Sequence, residues 1–434
     1  MTSVIISTWG DPLRWQVANY ACHKDLGKSG VVKGNTTMVC YGHNDVVVLV
    51  SDSVLSSTVA QPVYHEAFNC YNQILSGGGL QQCSDLDCWR RLVKEYINCV
   101  VKSTGFGGRV HVIPVAAIGT YGSYKFGGWP EAVQVDALAQ LAGYARGLSC
   151  PRDGHLELLV DLTHGVNYLP TVVLGLVLDF LAPLLAIRCE AQVLVKAYYA
   201  VPVGGNQYEF HKVFSQVVKR FEPPGGRHDK VLKAFLTAMP LAMVKTCAEF
   251  EAGEVSVSGS VSHPSGQQLG EVKYFTKPSK IADVASMLLA EEICAKVKGV
   301  AKGNALEINS ANSLFSAAAK FAGDLARITE VEVNAVYDTV TRSVLLNGQC
   351  ARLCELKGGC RDLSGEIEKL ERGERPDNKL VRNFLAHGGL LEDFVKVCNK
   401  DGKRLISYVD EKDSVELAKL IDAVIEAALG RGSS

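Results

Sequence analysis

Through the first two hundred residues, short apolar runs rich in Val, Ile and Leu alternate with longer stretches in which apolar residues recur every three or four positions. The short runs predict strands at Val4 to Thr8, Val46 to Val50, Val110 to Ala117, Leu156 to Leu162 and Gln192 to Tyr199, with helices between them. Several runs are almost unbroken in apolar residues, as in parallel strands covered on both faces. The alternation predicts an α/β domain over residues 1–205, a doubly wound, Rossmann-like parallel sheet.

The strand pattern gives out near Val203-Gly204-Gly205. Beyond it the sequence predicts a basic helical segment from Gln207, a turn at Pro223-Pro-Gly-Gly226 and a helix around Lys230 to Phe250. The alternation from Glu254 to Val261 predicts a β-hairpin closed by His263-Pro-Ser-Gly-Gln267. Helix plus hairpin over 206–300 resembles a small winged-helix module, with a structural connector as the alternative. After Ile281, helical spacing recurs through Ala282 to Lys298, Leu314 to Ile328, Val333 to Leu346, Leu380 to Val397 and Val415 to Leu429. An all-α domain is therefore expected over 301–434, with the Leu314 to Ile328 stripe in its core.

Composition narrows the class. With 47% hydrophobic and 21% charged residues over 434 positions, the chain reads as a soluble globular protein of two or three domains. Its formal net charge of −1 excludes a broadly basic nucleic-acid coat, so a polynucleotide would have to meet a local positive site. The apolar stretch from Tyr168 to Ile187 is interrupted by Pro170, Asp179 and Pro183, which predicts a buried helix rather than a membrane span. No signal peptide is read at the start, and the expected location is the cytoplasm, away from membranes. The fourteen cysteines show no paired CxxC spacing. Cys350, Cys354 and Cys360, and Cys83, Cys88 and Cys99, are candidate zinc clusters; otherwise buried thiols are expected, or disulfides in a hyperthermophilic host.

In parallel sheets ligands settle beyond the carboxyl ends of the strands. The first such loop is Trp9-Gly10-Asp11-Pro12, where Asp11 is placed to cap a helix that starts at Pro12. Others are Ser51-Asp52-Ser53, the aromatic Gly119 to Gly128 stretch, and Asp161-Leu-Thr163-His164-Gly165-Val-Asn167. Glycine there lets backbone approach a ligand, though tight strand-to-helix turns need the same residue types. No GxGxxG follows the first strand, which removes the dehydrogenase fingerprint, and Gly27-Lys28-Ser29 lacks the first glycine of a P-loop.

The most chemically informative stretch is Arg382-Asn-Phe-Leu-Ala-His387. RNA cleavage by its own 2′-hydroxyl needs a base for that proton, an acid for the departing oxygen and a charge on the phosphate between them. Histidine titrates near neutrality and suits both proton transfers. Arginine stays charged and presents a fork that matches two phosphate oxygens. Asn383 and His387 lie four residues apart and share a helix face, and Gly388-Gly389 breaks the helix beyond them.

An Asp161 to Asn167 loop in a doubly wound domain, followed by an Arg382 to His387 motif in a helical one, resembles one family: the CRISPR-associated type III accessory ribonucleases. Those join a CRISPR-associated Rossmann fold (CARF) sensor domain to a HEPN nuclease domain. The resemblance implies a cyclic oligoadenylate, cyclic tetra-adenylate in similar proteins, as allosteric activator, bound across a homodimer or an oligomer of dimers. It implies that Trp9, Gly10, Asp11, Thr163, His164, Gly165 and Asn167 face that ring. It implies further that Arg382, Asn383 and His387 cut single-stranded RNA without a metal, as a composite site of two copies. The alternative is a nucleotide-sensing transcription regulator, with the same sensor, a winged-helix-like middle and no nuclease activity.

Overall fold

The computed structural model describes residues 2–42, 45–56, 62–76, 79–165, 168–218, 221–322, 324–343 and 345–430, with the backbone alone at 312, 324–328 and 430. The chain folds into two compact units, residues 1–218 with 254–285, and residues 219–253 with 286–434.

The first unit is built on ten strands of its first 218 residues: β1 Thr2–Trp9, β2 Ala18–Cys22, β3 Gly30–Gly34, β4 Asp45–Ser51, β5 Val110–Val115, β6 Ile118–Tyr121, β7 Tyr124–Gly127, β8 His155–Asp161, β9 Gln192–Gly204 and β10 Gln207–Val217. Eight form one sheet in the order β3-β2-β10-β9-β8-β1-β4-β5. Its five expected strands, β9, β8, β1, β4 and β5, run parallel to one another. Every side chain from Val46 to Val50 is buried, the consequence of an apolar run covered on both faces. The sheet is mixed rather than wholly parallel: β10 returns antiparallel to β9, and β3 lies antiparallel to β2. The basic segment from Gln207, expected as a helix, is strand β10. Tyr208 and Phe210 in it pack on Tyr20 of β2, with ring centroids 5.5 and 6.4 Å apart.

Leu169–Cys189 is one helical run, long and apolar enough to cross a membrane. Val173, Val177, Leu181, Leu184 and Leu185 are nevertheless buried in the unit, as in a core helix. Its middle, Val177–Leu181, widens to π geometry. Pro183, without an N–H and with a ring crowding the carbonyl four residues back, accounts for that widening.

A further hairpin, β11 Ser256–Ser262 and β12 Gly270–Lys277, also belongs to this unit. It extends the small sheet to the order β11-β12-β7-β6, with β12 parallel to β7. His263 ties the hairpin down, one ring nitrogen 2.8 Å from the Cys83 carbonyl and the other 3.0 Å from the Tyr124 hydroxyl.

The second unit joins helices Asp229–Leu236, Pro240–Ala248, Ile308–Ala322, Asp324–Arg342, Asn378–Ala386 and Val415–Gly430 to a five-stranded sheet. Its strands are β13 Ala301–Lys302, β14 Ala305–Glu307, β15 Cys350–Arg352, β16 Val395–Lys400 and β17 Lys403–Tyr408, in the order β13-β14-β17-β16-β15. The unit is therefore not all-α. The expected helix from Leu380 to Val397 ends at Ala386, and its last residues begin β16, where Val395 and Val397 are buried and Lys396 between them is not. Of the Leu314 to Ile328 stripe, Leu314, Phe315, Ala318 and Phe321 are core, and 324–328 lie outside the described side chains.

No separate connector spans 206–300: strand β10 and the hairpin lie in the first unit, the helices Asp229–Leu236 and Pro240–Ala248 in the second, and the helix Ile281–Val300 crosses from one to the other. All fourteen cysteines are paired, as Cys22–Cys40, Cys70–Cys99, Cys83–Cys88, Cys150–Cys189, Cys247–Cys294, Cys350–Cys398 and Cys354–Cys360. Neither zinc cluster survives this pairing. Cys354, Cys360 and Asp393 do lie together, but the two sulfurs are bonded to each other and the carboxylate holds Arg361. A disulfide sulfur is no substitute for the thiolate that zinc requires.

Candidate functional sites

The carboxyl ends of β1, β4 and β8 and the tip of the β6–β7 hairpin enclose a cavity of about 390 Å³ in the first unit. Trp9, Gly10, Asp11 and Arg14 line it from the first loop, Ser51, Ser53 and Val54 from the second, Thr120, Tyr121 and Gly122 from the hairpin, and Gly165 from the loop after β8. Asp11 caps the short helix Pro12–Arg14, its Oδ1 accepting the Leu13 N–H at 3.0 Å, and lies 3.5 Å from Arg14. Arg14 is 74% exposed and gives the cavity its cation. The Trp9 indole N–H is buried and has no partner among the described residues.

The loop after β8 is fixed by its own polar groups. Asp161 accepts the Thr163 N–H at 2.9 Å and the hydroxyl of the buried Tyr41. Thr163 Oγ1 accepts the Ala200 N–H at 2.8 Å, and the Thr8 hydroxyl donates to the His164 carbonyl. The His164 ring packs on Trp15 with centroids 6.0 Å apart, its Nε2 buried without a partner among the described residues. Burial holds its pKa below the usual histidine value, against the pull of Asp161. Gly165 has φ +141°, and a Cβ there would meet Thr8 Oγ1 at 3.1 Å and Pro170 at 3.2 Å. Only glycine fits that turn.

The loop after β4 rests on a buried ion cluster. Arg90 donates from Nε and Nη2 to Asp52 Oδ2, at 3.1 and 3.0 Å, and from Nη1 to Asp136 Oδ1 at 3.0 Å. Asp136 also accepts the Ala116 N–H at 2.8 Å, and the indole of Trp89 holds the Asp52 carbonyl at 2.9 Å. Burial raises the Asp52 carboxyl to about 6, against the pull of Arg90.

In the second unit, Asp377 caps the helix Asn378–Ala386 by accepting the Lys379 N–H at 2.7 Å, and Leu380, Val381 and Phe384 bury its inner face. Arg382 lies on the exposed face and forms no ion pair among the described residues. His387 is the C-cap. After it, Gly388 donates to the Leu385 carbonyl at 3.0 Å and Gly389 to the Phe384 carbonyl at 2.9 Å, a complete Schellman closure. Gly388 has φ +56°, and a Cβ there would lie 2.6 Å from Thr329 Oγ1 on the helix Asp324–Arg342. From that same helix Glu332 Oε2 reaches His387 Nδ1 at 3.1 Å.

Residues 4–202 match the family model of the CARF domain of the CRISPR system endoribonuclease Csx1. Those residues form a CARF domain. No curated protein matches the chain. CARF domains are sensors of cyclic oligoadenylates in CRISPR systems, and the matched residues span β1 to β9 and so hold every loop of the cavity.

Of the residues expected to face a ligand, Trp9, Gly10, Asp11 and Gly165 line the CARF cavity. Thr163 and His164 stand beside it, holding the loop rather than the space, and Asn167 lies outside the described residues. Ser51 and Ser53 line the cavity from the segment the sequence marks after the second strand, whereas Thr120 and Tyr121, expected in a loop, belong to strand β6; the sequence assigns none of the four to the site. Arg14 was missed; a cation one turn after Asp11, on a capped helix leading off β1, was its signal. Arg382, Asn383 and His387 do fall on one helix end, whereas Glu332, 55 positions from His387, carried no signal at all.

Proposed function

We propose that this chain is a cyclic-oligoadenylate-activated, metal-independent endoribonuclease of type III CRISPR defence, acting on single-stranded RNA as a homodimer or an oligomer of dimers inside the cell. The observation that carries the reading is the presence in one chain of a CARF domain and of Arg382, Asn383 and His387 at a braced, solvent-facing helix end. In the CARF cavity, Arg14 answers phosphate charge, Ser51, Ser53 and Thr120 offer hydroxyls, and Tyr121 offers a ring to adenine. Trp9, Gly10, Asp11, Gly165 and Asn167 complete the ligand's surroundings, with Thr163 and His164 as their support. A two-fold pair of such cavities suits a symmetric ring, cyclic tetra-adenylate being the activator to test.

At the second site His387 moves the proton of the attacking 2′-hydroxyl, Arg382 stabilises the charge that builds on phosphorus, and Asn383 orients the RNA. The product is a 2′,3′-cyclic phosphate, and a second copy of the site supplies the acid. An intracellular role with every cysteine paired fits a hyperthermophilic host, where intracellular disulfides persist. The regulator reading has less support, since the middle segment does not fold as a module of its own.

The test is cleavage of labelled single-stranded RNA with and without cyclic tetra-adenylate. Expected are cleavage only with the ring, persistence in EDTA, and losses of about 10²- to 10⁴-fold in His387→Ala. Cleavage that ignores the ring, or an undiminished His387→Ala enzyme, defeats the proposal.

A further inference from the structure

The contact between His387 and Glu332 has geometry that stability does not explain. Glu332 is 24% exposed and His387 44% exposed, and a pair in that setting adds little to stability. Yet the helix Asp324–Arg342, with Val333, Val336 and Val340 buried, brings Thr329 into the space that Gly388 leaves by lacking a Cβ. Glu332, three residues after Thr329, is thereby carried to the ring of the residue next to Gly388. The contact fixes one atom. With Oε2 3.1 Å from Nδ1, the carboxylate favours the ring proton on that nitrogen, which leaves the Nε2 lone pair free.

We infer that Glu332 is a positioning residue for RNA cleavage, holding His387 in the Nδ1–H tautomer so that Nε2 is the atom that meets the RNA. The inference rests on the nuclease function proposed above. The 2′-hydroxyl proton passes to Nε2 as the O2′–P bond forms and the P–O5′ bond breaks. The ring becomes an imidazolium whose Nδ1–H still faces Glu332, and O5′ takes its proton from the imidazolium of the second copy. Glu332 itself gains and loses nothing.

Two replacements separate its contributions in the full-length protein. Glu332→Leu removes the oxygen that faces Nδ1, whereas Glu332→Gln keeps an oxygen there without the charge. With cyclic tetra-adenylate and labelled single-stranded RNA, Glu332→Leu is expected to lower the single-turnover rate about 100-fold, and Glu332→Gln about 10-fold, with RNA affinity and melting temperature unchanged. Ring-¹⁵N-labelled histidine spectra, with His387→Ala to assign the resonance, are expected to show Nδ1 protonated in the wild type and to lose that signature in Glu332→Leu. Wild-type rates in both variants, or an unchanged His387 signature in Glu332→Leu, overturn the role of Glu332 while a dead His387→Ala enzyme leaves the nuclease reading standing. An active His387→Ala enzyme instead overturns that reading, and the role of Glu332 with it.

Discussion

His164 shows how one buried ring ties the loop after β8 to pH. Its folded pKa lies below its unfolded value because burial disfavours the charged form, so the unfolded chain binds the proton more readily. The stability this group supports is present above the ordinary histidine pKa, about 6.5, and is lost as pH falls below it toward the folded value. The melting temperature of the wild type should therefore drop more steeply from pH 7 to 5.5 than that of His164→Phe, which keeps a ring against Trp15 and cannot charge. Equal slopes would show that another group governs. At this scale the sequence was legible wherever local chemistry decides the outcome. Asp11 before Pro12, and Gly388-Gly389 after His387, act on their own immediate backbone, so a cap and a stop could be read directly. Glu332 and Arg14 act through space, and no spacing rule reaches them.

Among elements, Arg90 is the residue on which most depends. It stands on the helix Leu86–Ser103 and joins Asp52, beside the cavity loop, to Asp136 on the helix Pro130–Gly147. Removing one partner from such a cluster leaves charges buried without compensation, whereas the intact set costs the fold little. Arg90→Met should accordingly lose about 3–5 kcal/mol in denaturant unfolding and weaken binding of a cyclic oligoadenylate, with Asp52→Asn restoring part of the stability. A loss below 1 kcal/mol would mean that water reaches the cluster. The five parallel strands were legible because each is an apolar run bounded by polar turns. Strand β10 was not: only Phe210 of its eleven residues is fully buried, so Lys212 and its other exposed side chains resemble a helix surface. The second sheet was hidden for a related reason, since β13, β14 and β15 are two or three residues long and carry no period of their own.

Across the whole molecule the disulfides set the expected stability. The bridge Cys247–Cys294 closes a 47-residue loop, worth about 4 kcal/mol in the chain-entropy model. Replacing both cysteines with alanine should lower stability by about that amount, and a reductant should lower the melting temperature of the wild type well below that of the oxidised protein. Identical melting with and without reductant would mean that the bridges contribute nothing. The path of the chain has a different consequence. It leaves the CARF-bearing unit after residue 218, returns at 254 to place β11 and β12 beside β7, and leaves again at 285. That unit is thus written in two separate stretches of the gene, and a single recombination junction cannot transfer it without also carrying residues 219–253 of the other unit. An exchange at residue 218 would join a foreign β7 to the old hairpin, and one at 285 would bring a foreign 219–253 segment into the other unit.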